Sequence, residues 1–255
     1  MEEKIITLQK PAYNCINDTN CALEGKFISF LGDSITTYDE WSNNGEYTSS
    51  IWYNAVYYTP VTLQDVSLTW WKQVIDKLKL NLCVNNSWSG CTVSGLDRSC
   101  IWYKRATNLH NNDGIKPDIV CIYAGINDFG RSIFLGSFDD ISEIYDQEQS
   151  DYLGNYTEFA HSYAMTVHKI KKAYPNAQIY LCNFANYTPK LNSWNKMIEK
   201  IANTFDCTVV DFFNKLPLTP ENLTDYTLDY LHPNEKGMQE MANVLISTIL
   251  KNSKY

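Results

Sequence analysis

The amino-acid sequence predicts an α/β domain of three layers, in which helices cover both faces of a mainly parallel sheet of about five strands. Short apolar runs of strand length alternate along the chain with longer segments whose apolar residues recur every three or four positions. Alternating strands and helices are joined by right-handed crossovers, which build a parallel sheet covered on both sides. The 255 residues contain no internal repeat and no Pro-, Gly- or Ser-rich linker, so a single domain over residues 1–255 is expected.

Five apolar runs have the length of buried strands, and Gly, Asn, Asp or Pro residues bound most of them. The predicted strands cover residues 27–31, 82–84, 119–123, 179–182 and 208–210. In a doubly wound sheet the ligand crevice lies outside the carboxyl ends of the strands. The polar residues that directly follow each strand are therefore the candidates for chemistry.

Four segments between and after these strands have helical periodicity. They cover residues 70–78, 156–174 and 191–204, and a C-terminal helix for which Asn234 is the expected N-cap. Two long stretches, 36–67 and 130–155, fit neither pattern. Loops of such length are usually functional or disordered.

The charge pattern argues against several classes of partner. The chain has 21 basic and 29 acidic residues, a net charge of −8, and no cluster of Lys or Arg that could follow phosphates, so nucleic-acid binding is not expected. No run approaches the ~20 apolar residues of a membrane span, so no integral membrane segment is expected. The N-terminus lacks a signal-peptide pattern, but a sequence can begin after a cleavage site. Cytoplasmic and secreted locations both stay open, as does the oligomeric state.

No metal or cofactor is expected. The eight cysteines contain no C-x-x-C pair, which argues against a zinc or thioredoxin-type site. Most cysteines should be buried, although Cys15 with Cys21 and Cys91 with Cys100 could pair in an oxidising compartment. His161 and His168 lie seven positions apart on a predicted helix, and no further metal ligands are expected to converge there. We therefore expect them to be ordinary packing or surface histidines.

The first cluster of interest is Gly32-Asp33-Ser34, directly after the first predicted strand. This position places Ser34 at the carboxyl edge of the sheet, where a serine can act as a nucleophile. The same three residues also make an ordinary turn. The cluster lacks the glycine patterns of phosphate and dinucleotide loops, which disfavours the alternative of a flavodoxin-like nucleotide binder.

A second cluster, Asp229-Tyr230-Leu231-His232, precedes the last predicted helix. A serine hydroxyl needs a base to take its proton, and that base needs a partner to orient its ring. The spacing lets the Asp229 carboxylate reach Nδ1 of His232 and leaves Nε2 for Ser34. A histidine that only caps or packs at a helix start is the competing interpretation.

Two further turns could supply donors to the oxyanion of an acyl-transfer reaction. Gly90 follows the second predicted strand and can present its backbone N–H, and Asn127 follows the third and can present its side-chain amide. Turns rich in Gly and Asn are common at these places. Only the combination of the four clusters indicates an active site.

The four clusters, in this order, resemble the blocks of the SGNH or GDSL-like hydrolases: G-D-S, a glycine block, G-x-N-D and D-x-x-H. The resemblance covers residues from about 26 to 250, and the first block reads G-D-S-I-T instead of G-D-S-L. It implies a flavodoxin-like SGNH hydrolase fold. It also implies a catalytic triad of Ser34, Asp229 and His232, with an oxyanion hole formed by Ser34, Gly90 and Asn127.

The resulting functional hypothesis is a serine ester hydrolase that cleaves carboxylic esters through an acyl-enzyme. The expected substrate is a small-molecule or saccharide ester with a short acyl group such as acetyl. A lipase or lysophospholipase-type acylhydrolase, or a thioesterase, is the alternative, and a non-catalytic carbohydrate-binding module is the alternative of another class.

Two segments have no counterpart in the four blocks. Residues 1–25 form an N-terminal extension without an assigned role, and residues 36–67 form an aromatic-rich insertion. The insertion could stack on sugar rings or an acyl chain, or pack onto the domain. Its aromatic residues are Tyr38, Trp41, Tyr47, Trp52, Tyr53, Tyr57 and Tyr58.

Overall fold

The structure is a computed structural model of the 255-residue chain. It describes residues 22–39, 41, 56–95, 100, 101, 105–139, 141, 142, 144 and 157–255. Most of the N-terminal extension lies outside the described residues, and so do Cys15, Cys21, Tyr47, Trp52 and Tyr53.

Five parallel strands form one sheet in the order β2-β1-β3-β4-β5, which confirms the predicted fold class. The strands are β1 (Phe27–Gly32), β2 (Asn81–Ser87), β3 (Ile119–Tyr123), β4 (Gln178–Cys182) and β5 (Thr208–Val210). The predicted bounds of β3 and β5 are correct. β2 is longer than predicted because its polar end pairs with β1 as far as Ser87, opposite Gly32.

The helices with clear periodicity lie where the sequence predicts them. They are α1 (Trp70–Leu78), α3 (Phe159–Ala173), α4 (Asn192–Thr204) and α7 (Glu235–Asn252), and the side chain of Asn234 caps α7 by accepting from the N–H of Gly237. Helix α3 begins three residues later than predicted. Short helices that periodicity cannot reveal are α2 (Ile126–Gly130), α5 (Phe212–Lys215) and α6 (Leu223–Tyr226).

The long helices form two layers on the sheet. From β1 the chain crosses to β2 on one side, whereas from β3 it proceeds through β4 to β5 on the other, so right-handed crossovers place their helices on opposite faces. Helix α1 packs against α7, and α3 packs against α4. Strands β1, β3 and β4 are almost wholly buried, as expected for a parallel sheet covered on both faces.

Strand β1 is the topological switch point of the sheet, because β2 lies on one side of it and β3 to β5 lie on the other. In open α/β sheets, ligands bind at such a switch point, outside the carboxyl ends of the strands. The turns after β1, β2 and β3 meet at this edge, and they carry Ser34, Gly90 and Asn127. The fold therefore brings the predicted donors and the predicted nucleophile to the same side of the sheet.

The described cysteines are free thiols. The considered pair of Cys91 and Cys100 is not formed: Sγ of Cys91 donates to the carbonyl oxygen of Gly32 at 3.3 Å, and Sγ of Cys100 lies 3.7 Å from Oγ1 of Thr92. Each thiol therefore has its own polar neighbour.

The described residues contain neither a metal-binding group nor a membrane-spanning helix. These residues include no group of three or more His, Cys, Asp or Glu side chains arranged to hold a metal, and no helix long and apolar enough to cross a membrane. His161 and His168 are both buried on α3. Nδ1 of His161 lies 3.5 Å from the carboxylate of Glu158.

Candidate active site

Ser34 lies in a hydrogen-bonded turn at the carboxyl end of β1. The carboxylate of Asp33 accepts from the N–H of Ile35 at 3.1 Å, and the hydroxyl of Thr37 donates to the carbonyl oxygen of Ser34 at 2.8 Å. Gly32 lets the turn approach β3, because a Cβ at this position would lie 2.7 Å from the carbonyl oxygen of Tyr123. These contacts fix the direction of the Ser34 side chain.

Asp229 and His232 lie in a tight loop between α6 and α7. The loop is closed by the N–H of Leu228, which donates to the carbonyl oxygen of His232 at 2.8 Å. Tyr230 adopts φ of 69°, a left-handed conformation that reverses the chain between the two polar residues. Oδ1 of Asp229 accepts from the N–H groups of Leu231 (3.2 Å) and His232 (2.8 Å), which explains why the three-residue spacing suits the pair.

The predicted triad residues form one continuous chain of hydrogen bonds. Nδ1 of His232 lies 2.8 Å from Oδ2 of Asp229, and Nε2 lies 2.8 Å from Oγ of Ser34. With the Nδ1 proton held by the carboxylate, Nε2 is free to accept the hydroxyl proton of Ser34. The arrangement can generate a serine nucleophile.

The predicted oxyanion donors lie at the same edge of the sheet as this nucleophile. Within the described part of the chain, the backbone N–H groups of Ser34 and Gly90 donate to no acceptor. Gly90 has φ of 73°, and Nη2 of Arg131 holds its carbonyl oxygen at 2.6 Å. Asn127, in the first turn of α2, donates from its amide to the carbonyl oxygen of Cys91 at 2.9 Å. That amide has a second N–H group.

The carboxylate of Asp128 anchors the loop that carries Gly90. This buried carboxylate accepts from the N–H groups of Val93 (2.8 Å) and Ser94 (3.0 Å), and also from the hydroxyl of Ser94. Asp128 and Asn127 are neighbours on α2, so one short helix holds the loop at both Cys91 and Val93–Ser94. The Gly90 and Asn127 donors are thereby fixed relative to each other.

Residues 26–249 match the family model of the GDSL-like lipases/acylhydrolases. The chain belongs to this family. It is accordingly a carboxylic ester hydrolase, and its matched region contains all four clusters of the candidate site. No curated protein matches the sequence significantly.

Several solved structures share the fold of this GDSL-like hydrolase. A protein described as a GDSL-like lipase from Bacteroides ovatus is 22% identical with a TM-score of 0.69, and the match covers 90% of this chain and 100% of that one. An esterase from Pseudoalteromonas sp. is 20% identical (TM-score 0.55, 89% and 97% covered). An active-site mutant of a family two carbohydrate esterase from Clostridium thermocellum is also 20% identical (TM-score 0.59, 89% and 64% covered).

The pKa values of the Asp229–His232 pair suit a base and its orienting carboxylate. Burial alone would raise the pKa of Asp229, but hydrogen bonds from the backbone and ring of His232 and from the hydroxyl of Tyr57 together lower it. Burial lowers the pKa of His232, and this effect outweighs the opposing attraction of Asp229. At neutral pH the GDSL-like hydrolase therefore holds a charged carboxylate against a neutral imidazole.

Three residues around the site have roles that the sequence did not reveal. The ring of Tyr57 stacks on His232, Asp128 anchors the loop of Gly90, and the buried guanidinium of Arg105 donates to the carbonyl oxygen of Gly32 at 3.0 Å. Asp128 has a sequence signal, since it directly follows Asn127 in its block. Tyr57 and Arg105 have none, because they reach the site from irregular segments far from the four clusters.

Proposed function

We propose that the protein hydrolyses carboxylic esters through an acyl-enzyme, with Ser34 as nucleophile, His232 as general base and Asp229 as the group that orients His232. The hydrogen-bond chain from Oγ of Ser34 through the imidazole to Oδ2 of Asp229, with both distances at 2.8 Å, carries this proposal. The lowered pKa of Asp229 favours a charged carboxylate and the lowered pKa of His232 favours a neutral imidazole, which supports these two roles.

The proposed reaction has two halves. His232 takes the hydroxyl proton as Ser34 attacks the ester carbonyl, and the imidazolium then gives this proton to the departing alcohol while the acyl group stays on Ser34. A water molecule, deprotonated by His232, attacks the acyl-serine. Collapse of that second intermediate releases the carboxylic acid and returns the proton to Ser34.

The tetrahedral intermediates carry a negative oxygen that needs donors. We assign the backbone N–H groups of Ser34 and Gly90 and the free amide hydrogen of Asn127 to this oxyanion hole. Two observations support the assignment. The N–H groups of Ser34 and Gly90 have no acceptor within the described chain, and the amide of Asn127 is held by its hydrogen bond to the carbonyl oxygen of Cys91. Donors fixed before the reaction stabilise developing charge most effectively.

The proposed substrate is an ester of a short acyl group, with a saccharide as the alcohol part. An exposed aromatic side chain beside the proposed triad supports a sugar: Tyr230 lies within the Asp229–His232 loop and is 67% exposed. Flat aromatic surfaces suit the apolar faces of sugar rings. Tyr38 and Tyr58 of the aromatic insertion are instead buried against the domain and are not available for stacking.

The decisive experiment compares wild type with Ser34→Ala on p-nitrophenyl esters from acetate to palmitate and on acetylated saccharides. Ser34→Ala should lower kcat by about 10⁴-fold or more. Ser193→Ala is the matched control, because this exposed serine lies on α4 and, among the described residues, its hydroxyl donates a hydrogen bond only to the carbonyl oxygen of Lys190. It should retain wild-type activity.

A phosphonate ester that traps serine nucleophiles should add its phosphonyl group to Ser34, which peptide mass spectrometry would locate. A preference for acetate supports a short-acyl esterase. A preference for palmitate would indicate a lipase-type acylhydrolase instead, and faster cleavage of thioesters would indicate a thioesterase. Turnover that persists in Ser34→Ala would refute the mechanism. Lack of turnover on every ester would favour a binding module.

A further inference from the structure

Tyr57 contacts two members of the proposed triad at once. Its ring lies flat on the imidazole of His232, with ring centroids 3.5 Å apart and an interplanar angle of 9°. Its hydroxyl donates to Oδ2 of Asp229 at 2.8 Å, the same oxygen that receives Nδ1 of His232. No side chain outside the triad makes comparable contacts with both residues in the described chain.

The backbone around Tyr57 holds it in this position. The N–H of Tyr57 donates to the hydroxyl of Thr37 at 2.9 Å, and the N–H of Asp39 donates to the carbonyl oxygen of Tyr58 at 2.9 Å. The hydroxyl of the buried Tyr58 donates to the carbonyl oxygen of Pro233, next to His232, at 2.8 Å. The end of the aromatic insertion is thus bound both to the turn of Ser34 and to the loop of His232.

We propose that Tyr57 is a positioning residue of the triad, which holds the plane of the His232 ring by stacking and restrains the Asp229 carboxylate by its hydroxyl. The proposal rests on the proposed function, because it assigns Tyr57 a role in that same reaction. It gives Tyr57, at the end of the insertion, a task in the reaction in place of the sugar or acyl stacking considered for this residue.

The two contacts have separable physical consequences. A donated hydrogen bond spreads the negative charge of Asp229, so the carboxylate stabilises the imidazolium less and the pKa of His232 is held down. The stacked ring limits rotation of the imidazole away from Ser34. It has two opposing effects on the charge of the imidazole, because it keeps water from one face but its π electrons attract the imidazolium. The groups that face His232 in the described chain are Asp229, Ser34, Tyr57 and, edge-on at 6.3 Å, Tyr58.

The test uses two variants of the full chain. Tyr57→Phe keeps the stacked ring and removes only the hydroxyl, whereas Tyr57→Leu removes both contacts and keeps an apolar side chain. Tyr38→Phe is the matched control: it removes a tyrosine hydroxyl from the same insertion, one that donates to the carbonyl oxygen of Leu63 at 3.1 Å. Two readouts are needed, the pH profile of kcat/KM and the NMR titration of the His232 ring without substrate.

In Tyr57→Phe the acid limb of kcat/KM and the NMR titration of His232 should both move to higher pH, with kcat within about threefold of wild type. In Tyr57→Leu, which also lacks the stacked ring, kcat should fall by about tenfold or more, with KM nearly unchanged. Tyr38→Phe should match wild type in both readouts.

Unchanged titration and unchanged kcat in both Tyr57 variants would overturn the proposal, as would a rise in KM alone, which indicates a substrate contact. The NMR titration separates this inference from the proposed function. If wild type hydrolysed no ester, the proposed function would fail, and a shifted His232 titration in Tyr57→Phe would still show that Tyr57 controls the imidazole.

Discussion

The side-chain amide of Asn127 has two N–H groups, and within the described chain it donates to a single acceptor, the carbonyl oxygen of Cys91. The second group is the one assigned to the oxyanion. Asn127→Ala should therefore lower kcat by about 10²–10³-fold and leave KM nearly unchanged, because the donor acts on charge that develops in the transition state. Steady-state kinetics on p-nitrophenyl acetate measures both constants.

Loss of the bond to Cys91 could loosen the loop of Gly90 and lower kcat for a different reason. Asp128 still holds this loop at Val93 and Ser94, so the urea midpoint of Asn127→Ala should stay close to that of wild type. A kcat within threefold of wild type, or a kcat loss matched by a large loss of stability, would argue against an oxyanion role.

Single residues differ in how far the sequence reveals them. Ser34 and His232 are recognisable because they lie in short blocks at predictable ends of strands and helices. Tyr57 is not recognisable in this way, since it stacks on a ring 175 positions further along the chain. Nothing in an irregular aromatic segment shows which of its side chains will face the site, and only the folded chain decides this.

At the scale of elements, α7 shows how a tertiary contact can reverse a local preference. Replacing glycine by alanine inside a helix ordinarily stabilises it by about 1 kcal/mol. At Gly237, however, a Cβ would lie 2.3 Å from the carbonyl oxygen of Tyr226 and 3.0 Å from Cβ of Pro233. Gly237→Ala should instead destabilise the protein by about 2 kcal/mol, as overpacking does. Urea unfolding gives the value.

The same substitution should also lower kcat, because Tyr226 and Pro233 bound the loop that carries Asp229 and His232. Gly130→Ala is the matched control, since a Cβ at the end of α2 would meet nothing within 4 Å. Its stability should stay within about 1 kcal/mol of wild type. Equal effects of the two substitutions would show that the close approach of α7 to Tyr226 is not a constraint.

Predictable elements are those whose own apolar pattern decides their structure. The bounds of β3 and α1 follow from that pattern, whereas the polar end of β2 does not. Asn85 donates to the carbonyl oxygen of Thr36 at 2.9 Å, and Asn86 donates to that of Asn108 at 3.0 Å. These partners, which lie in other segments, let polar side chains occupy a buried strand.

At the scale of the whole molecule, three buried ionisable side chains of the described chain lie near the carboxyl edge of the sheet, where the proposed site is. Asp33, Asp128 and Arg105 are all at most 1% exposed, and none belongs to the triad. Arg105 donates to backbone oxygens of Gly32 and Asn86, and Asp128 accepts from the loop of Gly90. These hydrogen bonds hold the backbone groups around the site in place. Buried ionisable groups also make the stability of the protein sensitive to pH.

For Asp33, the direction in which stability changes with pH can be predicted. Burial raises the pKa of Asp33 from 3.8 to about 7, mainly by desolvation, which the hydrogen bond from Ile35 opposes. Since the folded pKa is above the unfolded one, the folded protein binds this proton more tightly. Its contribution to stability is complete below about pH 4 and is lost as pH rises to about 7, by up to about 4 kcal/mol.

Asp33→Asn should abolish this loss, because an amide has no charge to desolvate and its oxygen can still accept from Ile35. The free energy of unfolding, measured in urea at pH 4.5 and 7.5, should fall less between these pH values in Asp33→Asn than in wild type. Asp113→Asn, at an exposed turn, should retain the wild-type pH dependence. If all three proteins showed the same change with pH, Asp33 would already be ionised in the folded state at the lower pH, and the charge of Arg105 would have to compensate its burial.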